Sequence, residues 1–111
     1  MYWKIRDIQN PSGKKIIAAF IDKQEKSTKA KITRTILLLE RYGPFLGMPY
    51  CRKLEENIWE LRIQGKEAIR VFYTLREEEV ILLHIFKKKS QKIRSKELEL
   101  ARERLVMIVR N

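Results

Sequence analysis

The sequence predicts an α+β fold, in the order β-α-α-β-β-β-α. A helical hairpin and a C-terminal helix pack with a mainly antiparallel sheet. Three observations carry this. Apolar runs rich in Ile, Val, Phe and Tyr follow one another at about residues 57–64, 68–76 and 79–88, separated by short polar turns, as consecutive strands are. Apolar residues recur at helical spacing before Tyr42 and again after Ser95. Breakers fall between these regions, at Asn10-Pro11-Ser12-Gly13 and at Gly43-Pro44.

Residues 2–8 read as a first short strand. Ser12 is placed to cap a helix starting at Gly13, with Ile16, Ile17, Phe20 and Ile21 as its stripe. A second helix runs from about Thr28 to Tyr42, with Ile32, Ile36, Leu39 and Tyr42 on one face, and stops at Gly43-Pro44. Residues 43–57 contain Gly43, Pro44, Gly47 and Pro49 and read as an irregular connection. In the last strand, Val80 to Phe86 is apolar on both faces, as a central strand should be. The final helix follows Ser95, a candidate N-cap, with Leu98, Ala101, Leu105 and Ile108 as its stripe.

Alternation then predicts which side chains share a face. Trp59, Leu61 and Ile63 oppose Glu60, Arg62 and Gln64, while Ile69, Val71, Tyr73 and Leu75 oppose Arg70, Phe72 and Thr74. Joining the apolar faces through a Gly65-Lys66-Glu67 loop sets Arg62 across from Arg70. A Glu77-Glu78-Glu79 loop then sets Arg70 opposite Phe86 and Phe72 opposite His84. One sheet surface is thus expected to carry Arg62, Arg70, Phe72, His84, Phe86 and Lys88, with the helices covering the other. Two facing arginines repel, so an anion should sit between them: Glu60, which shares the face, or an external phosphate. The plain alternative is a solvated sheet face with incidental arginines.

Composition points the same way. The 111 residues are one domain's worth, residues 1–111, without repeats or a linker. The formal net charge of +11 favours a polyanionic partner: nucleic acid first, then an anionic membrane surface or an acidic protein. Six basic residues and no acid occupy Lys87-Lys88-Lys89-Ser90-Gln91-Lys92-Ile93-Arg94-Ser95-Lys96. Such a run is often only a solvated segment. Here it adjoins the arginine face and Phe86, which pairs phosphate attraction with a stacking surface. A lone histidine in an apolar strand, His84, is more often packed than catalytic. Cys51, the single cysteine, allows no internal disulfide and no zinc cluster, and reads as structural. No apolar run is long enough to span a bilayer and no leader is evident, so a cytoplasmic protein without a membrane partner is expected.

The stretches Trp59-Glu60-Leu61-Arg62, Ile69-Arg70-Val71-Phe72-Tyr73 and Leu82-Leu83-His84-Ile85-Phe86-Lys87-Lys88-Lys89-Ser90-Gln91-Lys92, with Glu97 and Ala101 beyond them, resemble the phage-derived, HigB-like branch of the RelE/ParE toxin superfamily. The resemblance covers nearly the whole chain. It implies a RelE-like toxin of a type II toxin–antitoxin system, an endoribonuclease that cuts messenger RNA on the ribosome without metal or other cofactor. It also implies a helix-turn-helix, HigA-like antitoxin, with operator DNA bound only by the toxin–antitoxin complex. By position, Arg62, Arg70, Lys88 and Lys89 match the catalytic cations, and Phe72, His84, Phe86, Lys87, Lys92 and Arg94 the nucleic-acid contacts. Metal-free cleavage uses the substrate's 2′-hydroxyl as nucleophile and needs cations for the charge that develops, plus a proton acceptor and donor. Lys88 can serve as donor if neighbouring cations depress its pKa. Relatives often carry a late tyrosine or histidine for this, but here no tyrosine follows Tyr73 and no histidine follows His84. Lys88, Lys89, His84 and Glu60 are the local candidates. Two other readings stay open: a ParE-like gyrase inhibitor on the same fold, and a non-enzymatic basic module binding RNA or ribosomes.

Overall fold

The computed structural model describes residues 2–89 and 95–110. Its elements are β1 (Lys4–Asp7), α1 (Ile16–Asp22), α2 (Lys26–Tyr42), a short 3-10 turn (Gly43–Phe45), β2 (Cys51–Glu55), β3 (Ile58–Ile63), β4 (Ile69–Arg76), β5 (Glu79–Lys87) and α3 (Ser95–Arg110). The five strands form one sheet in the order β1-β5-β4-β3-β2. All neighbours are antiparallel except β1 and β5. The α+β class and the mainly antiparallel sheet agree with expectation, but the order contains one strand more.

That strand is β2, in the segment expected to be irregular. It pairs Arg52 with Glu60 and Lys53 with Trp59. Three of its five residues are charged and it has a single neighbour, so it is an edge strand with little apolar alternation to announce it. A tight Glu56-Asn57 turn returns the chain to β3, with Asn57 at a φ of 67°.

The central strands follow from their composition. β5 is apolar on both faces and β4 adds Phe72 to the face opposite Ile69, Val71 and Tyr73, so both faces must be covered. On one side lie α1 and α2, whose Ile17, Ile32 and Leu39 pack on Leu61, Val71, Tyr73 and Ile85. On the other lies α3, whose Ala101, Leu98 and Leu105 pack on Ile58, Phe72, Leu83 and Phe86. Contrary to expectation, the helices do not all cover one surface. Alternation had put Phe72 and Phe86 on the arginine face, and α3 is what buries them.

The β3–β4 register is as expected, with Arg62 facing Arg70. Arg70 faces Phe86 and Phe72 faces His84, also as expected. The β4–β5 turn is different: Arg76 pairs with Glu79, leaving Glu77-Glu78 as the connection, with Glu77 at a φ of 57°. A bulge reconciles the two, because Tyr73 pairs with Leu82 while Phe72 pairs with His84, leaving Leu83 as the extra residue.

Both helices of the hairpin depart from expectation at their starts, and the second keeps its expected end. Ser12 does not cap α1. The helix begins later, at Ile16, and the Asp7 carboxylate accepts the N–H groups of Ile17 and Ala18 at 3.0 and 2.9 Å. Helix α2 begins at Lys26, and Tyr42 points largely to solvent while Thr35 is buried. Gly43 does end α2: its φ is 52°, and a Cβ there would overlap the Trp3 indole.

Candidate functional site

The face of the sheet that carries the arginines is a lattice set by strand pairing. One row runs Arg52, Glu60, Phe72, His84 across β2 to β5, and the next brings Arg62, Arg70 and Phe86 together. Tyr50, just before β2, joins the second row at the backbone, its carbonyl accepting the Arg62 N–H at 2.7 Å.

Glu60 is the anion among these cations. Its carboxylate is 1% exposed, accepts the Arg52 Nε–H at 2.9 Å through Oε1, and lies 3.7 Å from Arg70 Nε through Oε2. The Arg70 side chain is 11% exposed, and an NH of its guanidinium donates to the Ile69 carbonyl at 3.0 Å. Glu60 Oε2, Arg62 Nε and Arg70 Nε are buried without hydrogen-bond partners. Buried polar atoms are normally satisfied, so three orphans on neighbouring residues of one sheet face mark an unfinished network. Burial lowers the Arg70 pKa. Glu60 opposes the shift, while Arg62 and Arg52 add to it. One carboxylate thus serves two guanidinium groups, with a third, Arg62, facing Arg70.

Lys88 is half-buried one step past Phe86, its backbone N–H donating to the Ala68 carbonyl at 2.6 Å, which extends the β4–β5 ladder. Lys89 is exposed. Lys87, grouped with the nucleic-acid contacts by sequence, pairs with Ile69 and so falls on the opposite face, where its Nζ lies 2.8 Å from Glu67 Oε2. Lys92 and Arg94 lie outside the described residues.

The aromatic residues are a second correction. Phe72 is fully buried and Phe86 is 8% exposed, both beneath α3. They pack edge to face, with centroids 5.0 Å apart, so neither offers an open ring to a base. His84 stacks on Phe86 and is held at both nitrogens by α3. Nε2 lies 2.9 Å from Glu97 Oε1, and Nδ1 lies 3.3 Å from an Arg104 NH that also donates to the Leu83 carbonyl at 2.7 Å. Arginine only donates, so Nδ1 accepts and Nε2–H donates to Glu97. Burial lowers the His84 pKa against the pull of Glu97, with Arg104 adding to the lowering. His84 is a clamp between sheet and helix.

Cys51 is buried, its Sγ–H donating to the Leu46 carbonyl at 2.8 Å beside Tyr73. Trp59 stacks on Tyr73 on the α1–α2 side, with Lys53 over its ring. A cleft of about 730 Å³ opens elsewhere, where Arg6, Asp7, Lys15, Arg76, Glu77 and Glu79 mix both charges beside Met107. None of the candidate catalytic or nucleic-acid-binding residues lines it. Arg52 was missed because its strand was missed, and its spacing from Glu60 becomes informative only once that hairpin is known.

Residues 19–106 match the family described as Phage derived protein Gp49-like (DUF891). The chain belongs to the Gp49-like family. It is a phage-derived, toxin-like family of the RelE/Gp49 type. The match takes in β2 to β5 and most of α3 of this Gp49-like protein, and so every arginine of the face described above. The comparison with curated proteins found no match. No helix among the described residues is long and apolar enough to cross a membrane.

Proposed function

We propose that this Gp49-like protein is the toxin of a type II toxin–antitoxin pair and that it cleaves messenger RNA, on the ribosome, without a metal. The observation that supports this most is the facing pair Arg62 and Arg70, with buried donors that no protein acceptor satisfies. A phosphodiester is the anion whose geometry suits two guanidinium forks. The attacking group is the RNA's own 2′-hydroxyl. Its oxygen bonds to the adjacent phosphorus, the bond to the 5′-oxygen breaks, and a cyclic phosphate and a 5′-hydroxyl remain. Arg62 and Arg70 stabilise the extra negative charge on the pentacovalent phosphorus.

The proton steps fall to fewer residues than sequence suggested. Glu60 is too buried for a ribose to reach, and both His84 nitrogens are engaged by α3. Lys88 and Lys89 remain, and the exposed Tyr50 joins them through its place beside Arg62. A helix-turn-helix, HigA-like antitoxin is the expected partner, with operator DNA bound by the pair alone. The scarcity of reachable acid–base groups favours one other reading, a basic module that binds RNA or ribosomes without cutting.

The test is induction in a bacterium with mapping of transcript ends. The wild type should create new ends inside translated regions, Arg70→Ala should abolish them, and Lys88→Ala should reduce toxicity more than Lys26→Ala on α2. New ends in neither wild type nor variant would end the nuclease reading. A graded loss of RNA affinity in Arg70→Ala, with no cleavage by either protein, would favour the binding module.

A further inference from the structure

Arg52 and Arg70 share one carboxylate and do not hold it equally, while Arg62 faces Arg70 on the same side of the sheet. Glu60 accepts its hydrogen bond from Arg52, the more exposed of its two partners, with 49% of that side chain open to solvent. Arg70, far more deeply buried, is left at 3.7 Å from the other oxygen. Among the described residues no carboxylate pairs with Arg62, and its Nε is buried without a partner. A buried cation ordinarily claims the nearest carboxylate, because its alternative is costlier than that of a cation in water. Here the exposed arginine has the better bond.

We propose that Glu60 is a built-in counter-anion which an RNA phosphate replaces at Arg52, making Arg52 a third phosphate-binding arginine of this face. The proposal rests on the reading of the face as RNA-binding. Arg52 lies opposite Glu60 and diagonal to Arg62 across β2 and β3, about 7–8 Å apart at the backbone, which long side chains span easily. Being half-exposed, Arg52 can swing outward at little cost. A phosphate held between Arg52 and Arg62 supplies the acceptors that Arg62 lacks. The freed Glu60 carboxylate then closes on Arg70 and satisfies both orphaned atoms of that pair. Glu60 itself never touches the substrate. It is a positioning residue that keeps three like charges together until the phosphate arrives.

The probe is a short single-stranded 2′-O-methyl oligoribonucleotide, which cannot be cleaved because its 2′-oxygens are blocked. Arg52→Ala should weaken its binding about tenfold, as loss of a charge-assisted contact does. It should also flatten the dependence of log affinity on log salt by about 0.7, the value of one phosphate contact on a single strand. Lys26→Ala controls for bulk charge. Glu60→Gln keeps the shape and removes the charge: it should melt below wild type alone, and gain more in melting temperature from saturating oligonucleotide than wild type gains. A purely structural Glu60 would lower the melting temperature and leave that gain unchanged, which overturns the proposal. So does wild-type affinity and salt slope in Arg52→Ala, an outcome that decides the matter even if Glu60→Gln fails to fold. Arg52-dependent binding without cut transcripts keeps the seat and removes the nuclease. Cut transcripts with binding indifferent to Arg52 do the reverse.

Discussion

Arg70 and Arg52 share one carboxylate but not one environment, and environment sets what each is worth. Glu60 and Arg70 are both buried, whereas Arg52 is half in water. Removing the carboxylate leaves a guanidinium in a poor solvent, while removing Arg52 leaves Glu60 still beside Arg70. Glu60→Ala should therefore cost about 3 kcal/mol of folding stability, near the lower end of what breaking a buried pair costs. Arg52→Ala should cost less than about 1 kcal/mol, as exposed pairs do. Urea midpoints of the two variants measure this directly. Equal losses would mean that burial does not rank these contacts.

Helix α3 is the element that most changes the meaning of the site. Glu97 and Arg104 sit two turns apart on it and grip His84 from both sides, while Glu55 takes a two-pronged bond from Arg102, at 2.7 and 2.8 Å. Protonating Nδ1 would turn it from an acceptor into a donor facing the Arg104 donor. Burial accordingly holds the His84 pKa below its unfolded value of about 6.5. Between that folded pKa and about 6.5 the unfolded chain binds a proton that the folded one refuses, so stability is intact above the window and falls as pH drops through it. The slope for one such group is at most about 1.4 kcal/mol per pH unit. His84→Gln should flatten it, as read from urea midpoints between pH 7.5 and 5.5; an unchanged slope would assign the acid sensitivity to other groups. Much of the sheet could be read in advance, because arginines on the polar positions of β3 and β4 allow only one register that keeps them out of the core. The placement of α3 could not. Alternation says that Phe72 and Phe86 leave the α1–α2 face, but not what meets them on the other side. Strand β2 escaped because Arg52 and Lys53 are consecutive charges on an edge strand, and the bulge at Leu83 because a two-residue turn and a three-residue turn with a bulge-free ladder suit the same apolar pattern.

At the scale of the whole molecule, the excess of cations is the dominant field. The folded chain spans 37 × 32 × 27 Å and carries a formal net charge of +11. At 0.01 M salt the screening length is about 30 Å, so nearly every charge on the molecule feels every other. At 0.15 M it falls to about 8 Å, and only close neighbours interact. Screening also weakens favourable surface pairs such as Lys53–Glu56 and Lys87–Glu67, but pairs of that kind contribute only about 0–1 kcal/mol each. Long-range repulsion among unpaired cations is the larger quantity and opposes the compact state. The melting temperature of the free protein should therefore rise as sodium chloride goes from 0.01 to about 0.15 M, the range over which the screening length falls below the molecular dimensions. The oligonucleotide affinity should fall over the same range, because salt replaces the relief that a polyanion brings. The two slopes have opposite sign and one origin. A melting temperature that falls with salt would mean that local ion pairs, rather than net charge, govern the stability of this fold, and would remove the electrostatic reason for expecting a polyanionic partner.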